Sequence, residues 1–439
     1  MDLPRPHRGA HPLLLFAMAL CLTAAAVATA VAAVAESSTP AVRSEAAGVS
    51  VERLRRIDTF MEKSTADDGY LGGVSMVMHA GGIVHQRAYG HSDLGRTLPM
   101  REDSIFRIYS MTKTVTSVAV LMLMEEGKLA LSDPVADHLP QFRNMQIVVG
   151  GSVDSPRLQP ATRAITLRHL LTHTAGFATG GVGFELSSEL LERAGLEQSR
   201  DLQHFTQELA AVPLALEPGK RFSYDGTQLQ VLGRVVEVVS GQALDVFFQE
   251  RIFAPLGMVD TGFKVPVEKR HRIVDITRMS SSGALELDAG PSSRAPGTML
   301  NPYFSGAGGL YSTAPDFMRF SVMLLQGGRY GGNDLLGRKT VESMMQNHLG
   351  HLERPVTDFS DAEGFGLGGS VLLDPALRGR LGSKGQFGWS GAASTYFTID
   401  PAEELVAILL LQHLPNGEEG DLPRISTRYY NLVYQTLER

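Results

Sequence analysis

Ser110-Met111-Thr112-Lys113 opens an apolar run, residues 115–124, whose composition and spacing predict a helix. Residues three apart share a helix face, about one turn from each other. The serine hydroxyl and the lysine amine are therefore neighbours. At a helix N-terminus the serine also meets unpaired backbone N–H groups and the positive end of the helix dipole. Acyl transfer to serine requires a nucleophile, a nearby base and donors for a developing oxyanion. S-x-x-K also occurs as a plain surface helix start with a capping serine. The pattern gains meaning only from the rest of the chain.

The chain has 439 residues, and a hydrophobic fraction of 43% supplies a sizeable core. One large domain or two interlocked ones are expected at this length. The net charge of −7 at pH 7 leaves no basic footprint for nucleic acid. The N-terminus reads as a secretory leader. Arg5 and Arg8 precede an uncharged apolar stretch from Leu13 to Ala35, and Ala33-Val34-Ala35 offers a small-residue cleavage site. Residues 1–35 are read as a signal peptide and 36–50 as a linker, so the chain is expected to be exported, periplasmic or secreted. The stretch is long enough to span a bilayer, and an uncleaved membrane anchor is the competing reading. The single cysteine, Cys21, lies in the leader. The mature chain then has no disulfide, thiol nucleophile or thiolate metal ligand.

Residues 51–64 have helical spacing. Segments 73–79 and 83–89 read as a hairpin around Ala80-Gly81-Gly82. Between 130 and 300, short helical segments (166–171, 187–194, 202–210, 227–239 and 244–252) alternate with loops, and 264–300 reads as one long loop. Residues 366–373, 394–400 and 405–412 read as strands, the last continuously apolar and so buried. Residues 421–438 read as a terminal helix capped by Asp421. Strands early, helices in the middle and strands late suggest an α+β fold. A sheet domain from 51–129 and 301–439 would carry a mainly helical domain, 130–300, inserted into it.

Two further stretches bear on Ser110. Tyr224 follows Pro218-Gly219-Lys220-Arg221-Phe222-Ser223 at a helix entry. A phenol titrates near ~10 and makes a poor base unless a cation such as Lys113 lies close. Gly388-Trp389-Ser390-Gly391-Ala392 places a glycine turn at a strand, where backbone can approach a ligand and a strand N–H can serve an oxyanion. Taken singly, Tyr224 is also a plain core tyrosine, and the glycine turn a plain strand packed under a helix.

The ordered set Ser110-Met111-Thr112-Lys113, Tyr224 and Trp389-Ser390-Gly391 resembles the penicillin-recognising serine hydrolases. It is most similar to the class C β-lactamase-like branch and, within it, to family VIII carboxylesterases. Residues 165–176 and 308–314 agree with that resemblance, which covers about residues 55–435. It implies a β-lactamase/transpeptidase-like α+β fold, an antiparallel sheet flanked by helices. It implies that Ser110 is acylated, that Lys113 orients its hydroxyl and shares its proton, and that Tyr224 is the general base. The backbone N–H groups of Ser110 and Ala392 would form the oxyanion hole, with Trp389, Ser390 and Gly391 against the substrate. It implies no cofactor and no metal.

Two departures narrow the substrate. The family's middle motif is commonly Y-x-N, and here it is Tyr224-Asp225-Gly226. The third is K-T-G in lactamases and peptidases, and here Trp389 replaces the lysine that would meet a substrate carboxylate. Both favour an uncharged ester, and the expected partner is a small-molecule ester or amide. The alternatives are a β-lactamase or D-amino-acid peptidase, or a non-catalytic penicillin-binding-like protein. His169 and His173 stand four apart like a zinc pair, but Leu170 occupies the place of the H-E-x-x-H glutamate. They are expected to pack and hydrogen-bond near the site.

Overall fold

Two strands from opposite ends of the chain lie side by side at the heart of one sheet. They are Gly72–His79 (β1) and Leu405–Leu410 (β7), with Val74 opposite Leu410. Between them in the chain come Gly82–Gly90 (β2), Glu363–Phe365 (β3), Ser370–Leu372 (β4), Phe387–Gly391 (β5) and Thr395–Asp400 (β6). The seven strands run in the order β3-β4-β5-β6-β7-β1-β2, each antiparallel to its neighbours. The structure is a computed structural model that describes Met1 and residues 48–66, 69–177, 183–352, 357, 359–417 and 419–438. The expected leader and the expected linker up to residue 47 lie outside the described residues.

The helices that pack on the sheet and carry the site include Val51–Ser64 (α1), Thr112–Glu125 (α2), Thr227–Ser240 (α3), Ala314–Leu325 (α4) and Ser426–Tyr434 (α5). Successive strand residues point to opposite faces. Val406, Ile408 and Leu410 of β7 join a core with Val115 and Val118 of α2 and Phe317 and Phe320 of α4. Leu405, Ala407 and Leu409 join a second core with Ile57 and Met61 of α1 and Tyr429 and Val433 of α5. The sheet is thus sandwiched between helix layers, which explains why β7 is apolar without alternation. Tyr429 keeps its hydroxyl satisfied inside the second core by donating to the Ile408 carbonyl at 2.9 Å. α2 is buried from Thr112 through Leu123 and packs against α3. A helix enclosed on all sides is a rigid mount for the lysine near its start.

The antiparallel α+β architecture is as expected, but four local expectations need correction. Of the single strand read at 366–373 only Ser370–Leu372 is strand, and residues 366–369 are the turn of a hairpin, β3–β4, whose first strand lies before the expected start. The hairpin turns through Gly366 and Gly369, whose N–H and carbonyl are 2.8 Å apart, with Gly368 at φ +89°. A positive φ is what glycine permits at no steric cost. The loop read at 264–300 contains a hairpin, Thr277–Met279 with Leu285–Leu287. The helical middle also holds a hairpin, Gln146–Ser152 with Ser155–Pro160, mostly solvent-facing. Asp421 does not cap the terminal helix, which starts at Ser426. Its carboxylate accepts the Asn416 N–H at 2.8 Å and bonds His413 Nε2 at 2.9 Å.

Candidate active site

α2 follows directly on one 3₁₀ turn, Tyr109–Met111, that carries Ser110. Tyr109 has φ +43°, a left-handed conformation that costs a non-glycine residue about 1–3 kcal/mol. Surrounding contacts hold it there. The Ile108 N–H donates to Leu310 at 3.1 Å, and the Thr395 hydroxyl donates to the Ile108 carbonyl at 3.3 Å. Ser110 is left half-buried at the turn. Lys113, one turn on, is buried. Its Nζ donates to Ser110 Oγ at 2.9 Å and to the Ala307 carbonyl at 2.8 Å. Among the described residues no carboxylate pairs with this amine.

Tyr224 arrives from the loop before α3. Lys113 Nζ lies 5.0 Å from the centroid of its ring, and Trp389 Nε1 donates to its Oη at 3.1 Å. The structure therefore brings Ser110, Lys113, Tyr224 and Trp389 into one chain of contacts. The intervening Asp225 is buried and turned away from that chain. Its carboxylate accepts the N–H groups of Thr227 and Gln228, tying down the first turn of α3. Burial pushes this carboxyl up, while the Thr227 and Gln228 hydrogen bonds pull against that shift. Gly226 is exposed beside it and leaves room. A cavity of about 490 Å³ opens next to Gly226 and Thr227, walled by Leu191, Leu196, Phe205 and Tyr303 and edged by Glu192 and Glu197.

β5 carries Trp389, Ser390 and Gly391 past the Ser110 turn. A Cβ on Gly391 would lie 2.3 Å from the Ile108 carbonyl oxygen and 2.2 Å from Thr395 Oγ1. Only glycine allows the strand this close to the turn. Ala392, exposed, follows at the hairpin tip. The backbone N–H groups of Ser110 and Ala392 thus belong to two segments in direct contact.

Trp389 anchors a set of rings. Its centroid lies 5.1 Å from Tyr224, 5.1 Å from Phe365 and 5.5 Å from Phe359. His173 completes the set at 4.7 Å from Tyr224. It is fully buried at φ +54°, and neither ring nitrogen has a partner among the described residues. Desolvation above all, and then the nearby Lys113 charge, hold His173 well below the usual imidazole range, so it is neutral. His169 does not join it. Its Nδ1 accepts the Thr166 N–H at 3.2 Å while the Thr166 hydroxyl accepts the His169 N–H, a reciprocal cap on a short helix. Burial, helped by Arg163, His351 and Arg168, lowers His169 to about 4. Among the described residues no group of three or more His, Asp or Glu side chains is placed to hold a metal.

The description of the beta-lactamase family matches residues 55–429 of this chain, the span that contains all of these groups. The chain belongs to the beta-lactamase family. Esterase EstB from Burkholderia gladioli is 31% identical over 386 residues, covering 84% of this chain and 92% of its own. Protein Rv1367c of Mycobacterium tuberculosis is 34% identical over 366 residues, covering 81% and 89%. Among solved structures, EstCE1, a hydrolase with promiscuous acyltransferase activity, aligns with a TM-score of 0.70 at 25% identity, over 88% of this chain and 99% of its own. This beta-lactamase-family chain is a serine hydrolase. Sequence reasoning expected His173 to pack and hydrogen-bond near the site; it packs against Tyr224, but neither ring nitrogen makes the expected hydrogen bond among the described residues. Sequence reasoning missed Phe359 and Phe365, which no local pattern connects to Trp389.

Proposed function

We propose that the protein hydrolyses uncharged carboxylic esters through an acyl-enzyme on Ser110. The observation that carries the reading is the Lys113 Nζ to Ser110 Oγ contact of 2.9 Å, joined to Tyr224 on the other side of the amine. In the first step Ser110 Oγ attacks the ester carbonyl carbon as its proton passes to the Lys113–Tyr224 pair. The backbone N–H groups of Ser110 and Ala392 receive the charge on the carbonyl oxygen. Collapse of the tetrahedral intermediate breaks the bond to the alkoxy oxygen, and the pair's proton leaves with the alcohol. In the second step water attacks the Ser110 ester and gives a proton to the same pair. Ser110 takes that proton back as the carboxylic acid departs.

The restriction to uncharged esters rests on what surrounds this pair. Trp389, an apolar ring with one N–H, stands where a lysine would meet a carboxylate. The cavity beside Gly226 has two carboxylates on its edge and no cation among its lining residues. EstB, named an esterase, and EstCE1, named a hydrolase, support the same chemistry. Turnover of a chromogenic short-chain ester by wild type and Ser110→Ala tests it, with mass detection of the acylated Ser110 peptide. Equal rates in the two proteins would remove Ser110 from the mechanism. Faster turnover of a chromogenic cephalosporin than of any simple ester would replace the esterase with a lactamase.

We further propose export, cleavage of a leader at Ala35, and a helical segment 130–300 acting as one side of the cleft over the sheet domain. The first two rest on the n-region, apolar stretch and Ala33-Val34-Ala35. N-terminal sequencing of the protein recovered from the culture medium or periplasm checks them.

A further inference from the structure

We infer that Phe359 sets substrate specificity. With Trp389 it forms an aromatic face at the entrance to Ser110 that takes a planar aromatic group of the ester. Phe359 is 43% exposed, whereas its neighbour Phe222 and the Phe365 ring on the same tryptophan are buried. Its ring lies 5.5 Å from Trp389 at 63° and 5.6 Å from Phe222 at 80°. These edge-on contacts fix the phenyl plane. A lone exposed phenylalanine needs no explanation. This one is continuous with the reacting groups, because the indole beside it donates to Tyr224 Oη at 3.1 Å and Tyr224 sits under the Lys113 amine. A group lodged on the Trp389–Phe359 face is therefore within one ring of the nucleophile's base.

The chemistry of the face selects its occupant. Its rings offer offset-stacked and edge-to-face contacts to another flat ring, an attraction a flexible alkyl chain cannot match. Among the described residues no lysine or arginine lies over the Phe359 or Trp389 ring. The occupant is therefore an uncharged aryl group carried on either half of the ester.

The inference rests on the ester-hydrolase reading, and the test separates the two. Values of kcat/KM are measured for two matched pairs. Benzyl acetate against butyl acetate reports on the alcohol half, and ethyl phenylacetate against ethyl butanoate on the acyl half. Wild type, Phe359→Leu and Phe359→Tyr are compared. The leucine variant should lose about threefold to tenfold more on the aryl member than on the alkyl member in one pair, and that pair names the half that binds. The tyrosine variant should restore the ratio. A differential below threefold in both pairs overturns the inference, even if all four esters are hydrolysed. A wild type that hydrolyses none of them and takes no fluorophosphonate on Ser110 defeats the ester reading itself, and this inference with it.

Discussion

Replacing Gly391 by alanine adds one methyl group at the tightest point between β5 and the nucleophile turn. Real Cβ contacts essentially never fall below 3.0 Å, yet this one would begin at 2.3 Å from the Ile108 oxygen and 2.2 Å from Thr395 Oγ1. The threonine hydroxyl can rotate away, at the loss of its bond to Ile108. The Ile108 oxygen is backbone, two residues before Ser110, and cannot. Strand and turn must separate by the better part of an ångström. Ala392 lies on one side of that gap and Ser110 on the other, so the distance between the two proposed oxyanion donors grows with it. A misplacement of about 1 Å costs on the order of 10²-fold in rate. Overpacking a core contact costs about 1–3 kcal/mol of stability. The expectation is a folded protein with kcat on a short-chain ester down about 100-fold and a modestly lower urea midpoint. Both are measured on the same preparation, with far-UV circular dichroism to establish folding. A folded Gly391→Ala protein within fivefold of wild-type kcat would refute the idea that strand proximity to this turn sets the catalytic geometry.

Two other outcomes follow from the same contacts. Trp389→Phe keeps a ring in the wall but removes the donor at Tyr224 Oη. A hydrogen bond worth about 0.5–1.5 kcal/mol predicts a fall in kcat of roughly twofold to tenfold; an unchanged kcat would show that the bond is idle in turnover. His169 titrates at about 4 in the fold, below its unfolded value, because burial and nearby cations disfavour its charged form. The unfolded chain therefore binds the proton first, and stability present above about pH 6.5 is lost as the pH falls towards 4. Discounted for partial exposure, the loss at pH 5 is about 1 kcal/mol, and His173, shifted the same way, adds to it. His169→Gln should flatten the change in urea midpoint between pH 7 and pH 5, and an identical slope would assign the acid sensitivity elsewhere.

The parts of this molecule that announce themselves in sequence are those whose cause is local. Ser110 and Lys113 are three apart, and helical geometry alone makes them neighbours. The β1–β2 turn is legible because Ala80 and Gly81, at φ +47° and +77°, sit between two apolar runs. β7 is legible as buried because both of its faces are covered. Tyr224 and Trp389 were placed by the order of family motifs, since nothing local ties residue 224 to residue 389. The hairpin Gln146–Ser152 with Ser155–Pro160 escaped notice because its strands are mostly solvent-facing and lack a buried stripe. The turn between β3 and β4 was read as strand, and β3 itself was not read, because the turn, Gly366-Leu367-Gly368-Gly369, is itself glycine and leucine. The ring wall is a product of tertiary packing: Phe222, Phe359, Phe365 and Trp389 come from separate segments and share no period.

The pairing of Val74 with Leu410 has a consequence for how the protein is made. β1 leaves the ribosome early and its central neighbour β7 near the end, so the sheet cannot close until almost the whole chain exists. Until then the β1–β2 hairpin, buried along nearly its full length in the finished fold, presents an apolar edge to whatever is nearby. Contacts this distant in sequence make folding slow and leave the nascent chain prone to aggregation. Loss of residues from β7 onward would remove a central strand together with α5, so a late stop codon should yield aggregate rather than a shorter enzyme.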